Sequence, residues 1–217
     1  MNVHSRKSRA ADGRARGRGR PVTGGKSTAI LDAALALFAE RGYHGTAIPE
    51  IASAAGVAAG TIYRHFASKD ELVNAVYRRA KQQLMAQVLD GLPGPGAVRE
   101  QFHELWQRLR AFAHAEPIAF AFLELHHHAD YLDHESRTLE LQALLPVAKF
   151  LEAAAAAGHV RAIPPQALMA MVWGAFIGLI KAQRTGYLRF TDDLSAQTCA
   201  TLWDAIRAPS HTLEPRP

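Results

Sequence analysis

From residue 27 onward, apolar side chains recur every three or four positions, and no alternation of apolar and polar residues persists beyond a few residues. That spacing matches the turn of an α-helix and not the two-residue repeat of a strand, so the sequence predicts an all-α chain. A first helix is expected over 27–41, with Ile30, Ala34, Leu37 and Phe38 on one face and Gly42 at its C-terminal cap. A short second helix is expected over 47–55, where Thr46 is placed to cap it and Pro49 falls in the tolerant first turn. Gly56-Val57 make a tight turn into a third helix over 58–66. Two brief helices joined by a Gly-containing turn form the helix-turn-helix pattern. Ser68-x-x-Glu71 then reads as a capping box that opens a longer helix toward Leu89.

The Pro- and Gly-rich stretch 91–96 imposes a loop. Further helices are expected over 98–114, 117–128, 133–157 with a bend at Pro146, 164–185, and 192–207. No internal repeat is present. The predicted organisation is a basic arm over 1–26, a three-helix DNA-binding domain over 27–72 and a larger helical domain over 73–217.

Charge separates the arm from the rest. Lys plus Arg total 25 against 20 for Asp plus Glu, a net of +5, yet residues 1–26 alone hold eight cations and one anion. With two Val and no aromatic side chain, that arm lacks the apolar surface to fold by itself and is expected to be disordered. Cys199 is the single cysteine, which excludes an intramolecular disulfide framework and fits a reducing compartment. No apolar segment follows the N-terminal arginines, and the longest nearly apolar run, 167–180, is shorter than the roughly 20 residues of a membrane span. A soluble, cytoplasmic protein without membrane contact is expected.

The stretch 29–72, carried by ILDAALALFAERGYHGTAIPEIASAAGVAAGTIYRHFASKDEL, resembles the TetR family of bacterial transcriptional regulators. Phe38, Gly42-Tyr43, Thr46, Ile51-Ala52, Gly56-Val57, Gly60-Thr61-Ile62-Tyr63, Phe66 and Lys69 carry the match, whereas the C-terminal part agrees only in helical pattern and length. The resemblance implies a homodimer that grips double-stranded operator DNA with its N-terminal modules, while the C-terminal domain dimerises and binds a small-molecule inducer. It further implies that the Tyr63 hydroxyl and Lys69 contact phosphate.

Read from the residues themselves, Ile62 and Phe66 face the module core, while Thr61, Arg64 and His65 project elsewhere and Tyr63 fits either environment. Gly60 leaves room for close backbone approach, and Thr61 suits a phosphate or a thymine edge. Lys69 also fits an ordinary exposed lysine beside its cap, and Thr46 a cap alone or one that also meets phosphate. Ala47, Ala58 and Ala59 stand where the family often carries capping or polar residues, so a cap and a backbone contact are expected to be missing. In the arm, Arg18-Gly19-Arg20-Pro21 resembles the core of an AT-hook; Arg18 and Arg20 entering a narrow minor groove, nonspecific phosphate attraction and a solubilising tail all fit it.

In the C-terminal domain, Trp106, Phe120, Leu123, Trp173 and Ile177, with His127, are the candidate ligand-binding residues, set against an ordinary packed core. Six of eleven histidines fall between residues 103 and 134, and Glu124 with His128, or His126 with Asp130, has the spacing of two metal ligands on one helix. No metalloenzyme motif accompanies them, so no metal, cofactor or catalytic residue is assigned. The helices near 165–185, with Gly174 and Gly178 four apart, and 192–207, with Leu194, Thr198, Leu202 and Ile206 on one face, are expected to form the dimer interface; burial within one subunit is the alternative. The expected function is a ligand-responsive repressor released from a palindromic operator by its inducer, with no enzymatic step. Its rivals are a metal-dependent enzyme using the histidine-rich region and an architectural DNA binder driven by the arm.

Overall fold

The computed structural model describes residues 23–209. Nine α-helices account for most of them, and the one β contact among the described residues is an isolated bridge between Val160 and Arg207. The helices are α1 (Thr23–Arg41), α2 (Ile48–Ala54), α3 (Ala59–His65), α4 (Lys69–Leu84), α5 (Val98–Ala115), α6 (Pro117–Leu125), α7 (His134–Ala156), α8 (Pro165–Arg184) and α9 (Asp192–Ile206). The all-α expectation holds, and the Arg18 and Arg20 assignments lie outside the described residues.

Four boundaries differ from the sequence reading. Helix α1 begins at Thr23, inside the stretch assigned to the arm, because the first turn of a helix needs no intrahelical N–H partner and tolerates Gly24-Gly25. Ala47, not Thr46, occupies the N-cap of α2; Glu50 closes the turn by accepting the Ala47 N–H at 2.8 Å. The α4 helix widens to π spacing over Met85–Leu89. Helix α6 stops at Leu125, so the three consecutive histidines lie in the loop that follows it. The His128 Nε2–H donates to the Phe122 carbonyl at 2.7 Å, satisfying one of the acceptors that the helix end leaves open.

The N-terminal module is held by Ile30, Ala34, Phe38, Ile51, Ile62 and Leu72, all with no exposed surface. Gly42 takes a left-handed φ of 74° at the end of α1, and Gly56 one of 65° in the turn between α2 and α3, conformations that side chains strain to reach. Helix α4 joins this module to the body: it packs on α1, α6 and α7, with an Arg79–Asp32 ion pair of 2.7 Å back to α1. In the body, α5, α6, α8 and α9 meet around Trp106, Phe112, Phe120 and Phe176.

Helix α8 is by length and composition apolar enough to cross a membrane, yet only 17% of its most apolar window is buried within the chain. Leu168, Phe176 and Ala182 face inward, while Met171 is 47% exposed and an added Cβ at Gly174 or Gly178 would meet nothing within 4 Å. Helix α9 turns Ser195, Cys199 and Ile206 inward; Leu194, Thr198 and Leu202 are half-buried. Ile206 is therefore a core residue of its own chain and not part of an outer face.

Candidate nucleic-acid interface

Helix α3 stands on Ile62, fully buried, with Phe66 following it into the core. A seven-residue helix anchored on one face must display the other, and it displays Gly60, Tyr63 and Arg64. Tyr63 is 55% exposed, which removes the packed alternative for its ring. Arg64 reaches back to the Thr61 hydroxyl at 3.5 Å, and Thr61 and His65 are half-buried at the edges of the display. No side chain caps α3, because Ala58 holds the extended N-cap conformation without a hydroxyl. Helix α3 thus lacks the side-chain cap that the sequence reading expected to be missing.

Thr46 is corrected. It is 2% exposed, and its hydroxyl donates inward to the Gly42 carbonyl at 2.8 Å and the Leu37 carbonyl at 3.3 Å. It fastens the α1–α2 turn and leaves no side-chain group for a cap or a phosphate.

Lys69 opens α4 behind the Ser68 cap, whose hydroxyl accepts the Glu71 N–H at 3.0 Å. Glu71 itself reaches the Ala67 N–H at 2.6 Å, one residue before the partner that a standard capping box uses. The Lys69 ammonium lies over the Tyr43 ring, 4.1 Å from its centroid, and partial burial lowers its pKa against the pull of Asp70. Burial and a hydrogen bond to Asp70 push the Tyr43 hydroxyl up to about 12, so it remains a donor. Together Tyr63, Arg64 and Lys69 put one phenol and two cations along one end of the molecule, a set suited to phosphate and base edges.

Behind this face runs a polar seam that sequence reasoning missed. Asn74, 2% exposed, donates to the Asp70 and Tyr131 carbonyls at 2.8 Å each and accepts the Asp133 N–H at 2.9 Å. It clamps the 126–133 loop to α4. Two turns farther along α4, Lys81 is 5% exposed and pairs with Glu140 at 2.7 Å and Glu124 at 3.8 Å. Burial raises the Glu124 pKa despite Lys81 and the Trp173 Nε1–H, which donates to it at 3.0 Å. Burial also opposes ionisation of Glu140, but Lys81 prevails and holds its pKa below the ordinary value.

The candidate ligand residues gather unevenly. Trp106, Phe120 and Leu123 are buried in the core, Trp173 and Ile177 pack against it, and the ring of Phe176 meets Trp106, Phe120 and Trp173 within 6.2 Å. The Trp106 indole donates to the buried Ser195 hydroxyl at 3.0 Å. This cluster is closely packed, and a crevice nearby, lined by Gln101, Leu105 and Phe150, has only about 10 Å³ of water-accessible space. His127 is exposed in the loop after α6, apart from that packed group. The metal-ligand spacings also dissolve, since His126, His128 and Asp130 are off the helix; among the described residues no three His, Cys, Asp or Glu side chains converge on a metal-sized site.

Residues 30–76 match the family of bacterial regulatory proteins, tetR family, and residues 77–208 match the tetracyclin repressor-like C-terminal domain. The chain belongs to the TetR family. The HTH-type transcriptional repressor KstR2 of Mycobacterium tuberculosis is 31% identical over 112 residues, 52% of this chain and 50% of that one. Matches to curated relatives such as this span half of their length or less. A tetR family transcription regulator from Shewanella sp. PV-4 superposes with a TM-score of 0.73 at 25% identity, covering 85% of this chain and 99% of that one. AibR, solved with isovaleryl coenzyme A and operator DNA, shares the fold with a TM-score of 0.67 at 19% identity, over 85% of this chain and 99% of AibR.

Within this TetR-family chain, one of the missed residues had a sequence signal. Lys81 follows Val73 and Tyr77 at four-residue steps, a charge on an otherwise apolar stripe, which marks a buried ion pair. Tyr131 and Asn74 had none, because the contacts that join them to each other and Tyr131 to Tyr43 span elements distant in sequence.

Proposed function

We propose that two copies of this chain form a transcriptional repressor that holds a palindromic operator and releases it when a small molecule enters the helical body. The observation that carries this reading is α3 itself: a helix buried on one face by Ile62, with Tyr63 and Arg64 exposed on the other, and Lys69 opening the helix that follows. Gly60, Thr61 and Arg64 meet base edges in the major groove; Tyr63 and Lys69 take phosphates and fix the register. His65, at the edge of the display, adds a backbone contact, and Arg18 and Arg20 of the arm extend the grip along the duplex. The open faces of α8 and α9 are where the copies pair, with Gly174 and Gly178 admitting a close helix.

Trp106, Phe120, Leu123, Trp173 and Ile177 supply an apolar lining that opens around the inducer, and ligand binding there favours a state in which the two α3 helices no longer span the operator. Acyl thioesters are the first class to screen, since AibR was solved with one. The test is a titration of the full chain against DNA fragments that include the region beside its own gene, with competitor duplex near physiological salt. Selective retention of one fragment bearing an inverted repeat is expected. Equal retention of all fragments would replace this reading with an architectural one.

A further inference from the structure

A continuous set of side-chain contacts runs from the Lys69 ammonium to the buried ion cluster of the body. Tyr131 stacks on Tyr43 with centroids 4.6 Å apart and planes at 25°, and the Lys69 ammonium lies over the same Tyr43 ring, 4.1 Å from its centroid. The Tyr131 hydroxyl bonds His128 Nδ1 at 2.6 Å. A carbonyl can only accept, so the His128 Nε2 facing Phe122 carries the proton; Nδ1 is then an acceptor, and Tyr131 donates. The His128 ring in turn meets the Tyr77 ring edge-on at 5.1 Å, and the Tyr77 hydroxyl donates to Glu140, the partner of Lys81. The line thus leaves α4 at Lys69, passes through the α1–α2 turn and the 126–133 loop, returns to α4 at Tyr77, and ends where α4, α6, α7 and α8 meet at Lys81, Glu124, Glu140 and Trp173.

We propose that Tyr131 and His128 are positioning residues for Lys69: they hold Tyr43 as the platform from which the ammonium reaches a phosphate, and they transmit rearrangement at the Tyr77–Glu140–Lys81 cluster to it. The inference rests on the reading of Lys69 as a phosphate contact. Its physical basis is that each member has one satisfied arrangement. Tyr131 is held at its carbonyl by Asn74 and at its hydroxyl by His128, and His128 by a backbone carbonyl on its other nitrogen. A ring fixed at both ends moves only when an end moves. Shifting α4 against α7 drags Tyr77 from Glu140 or from His128, and the stack on Tyr43 follows. Binding in the body at Trp173 or Glu124 is thereby felt at the DNA face through packed groups.

The test reads Lys69 both with and without DNA. In the free full-length protein, the Lys69 ε-methylene resonance, assigned with Lys69→Arg, is expected upfield of Lys149 because it lies over an aromatic ring. Tyr131→Leu should return it toward the position of a free lysine, and Tyr77→Phe, which keeps the ring but removes the bond to Glu140, should move it in the same direction by a smaller amount. Movement with Tyr131→Leu but none with Tyr77→Phe would end the line at the loop and overturn the transmission to the cluster. With the DNA fragment retained above, Tyr131→Leu is expected to weaken binding by about fivefold, the loss of one charged contact. Combined with Lys69→Ala it should weaken binding no further than Lys69→Ala alone, whereas additive losses would show that Tyr131 acts elsewhere. Tyr131→Phe, which keeps the stack, serves where Tyr131→Leu melts early. Should no fragment be selected, the operator reading falls while the resonance shifts still decide the positioning role.

Discussion

Lys69 and Lys81 lie at opposite ends of α4, each against a tyrosine ring, 4.1 Å from Tyr43 and 5.6 Å from Tyr77. Lys69 is half-exposed and makes its contact at the edge of the face proposed for DNA. Lys81 is enclosed, with Glu140 and Glu124 around it. A half-exposed ammonium on a ring exchanges that contact for a phosphate at little cost, because water solvates it throughout. An enclosed ammonium has no such freedom, since removing it leaves two carboxylates held only by the neutral donors of Trp173 and Tyr77. One helix therefore carries a group suited to binding at one end and a group that fixes packing at the other.

Breaking the enclosed end should have the largest effect. Lys81→Met strands Glu140 and Glu124 and is expected to lower stability by about 3–5 kcal/mol, read by urea denaturation. Adding Glu140→Leu should recover much of that loss; a single variant as stable as the parent would mean that the ion cluster contributes nothing to the fold.

Two further changes sharpen the exposed end. Residues 1–21 carry seven cations against one anion, so deleting them should weaken binding to the retained DNA fragment by about tenfold or more at physiological salt and flatten its salt dependence. An unchanged slope would take the arm off the duplex. Lys69→Ala is expected to cost about five- to tenfold in affinity and Tyr63→Phe a few-fold, with urea midpoints within experimental error of the parent. A fall in stability as large as the fall in affinity would turn Lys69 into a structural residue and erase the contrast with Lys81.

The same contrast explains which parts of the molecule were legible in the sequence. The helix-turn-helix is local: Gly42, Gly56, the Ser68 cap and the Ile62–Phe66 face act over a few residues, so spacing alone placed α1 to α4 within a turn. Thr46 shows where local reading fails, since a hydroxyl before a helix is equally suited to capping forward or bonding back to the Gly42 carbonyl, and tertiary burial decided for the latter. The end of α6 is a second case. Leu125 and His126 share no breaker such as Gly or Pro, and the chain leaves the helix where His126 donates to the Ala39 carbonyl at 2.9 Å and His128 to that of Phe122. Those partners belong to a different helix or to the preceding turn, and periodicity holds no record of them. The positioning contacts of Tyr131 are invisible for the same reason.

A pH titration probes the seam between the two regions. Burial lowers the His128 pKa; its backbone hydrogen bonds oppose this, while His126 and Lys81 reinforce it, and the carboxylate of Glu140 also faces it. The folded protein therefore binds the His128 proton less readily than the unfolded chain. Its contribution is fully present above the unfolded value, about 6.5, and is lost as pH falls from there through the folded value. Stability should decline as pH falls below about 6.5, with a slope of at most about 1.4 kcal/mol per unit for this one group. His128→Gln, which keeps a donor for Phe122, should flatten that decline; an equally steep fall would assign it to other groups.

The smallest expected effect lies at the start of α3. Ala58 has φ −72° and ψ 146°, the extended geometry of an N-cap, and its carbonyl already accepts the Thr61 N–H at 2.8 Å. The backbone is thus arranged for a cap that the methyl side chain cannot supply, and α3 begins with its first N–H groups facing outward from an exposed helix end. Ala58→Ser should add about 0.5–1 kcal/mol of stability, read by the urea midpoint. Its effect on DNA is the sharper test. If the open N–H groups serve only the fold, the stabilised variant should bind the retained fragment as the parent does. If they receive phosphate oxygens, the new hydroxyl competes for them, and affinity should fall while stability rises. Opposite movement of the two quantities would put the DNA contact on the backbone of α3 as well as on Tyr63 and Lys69.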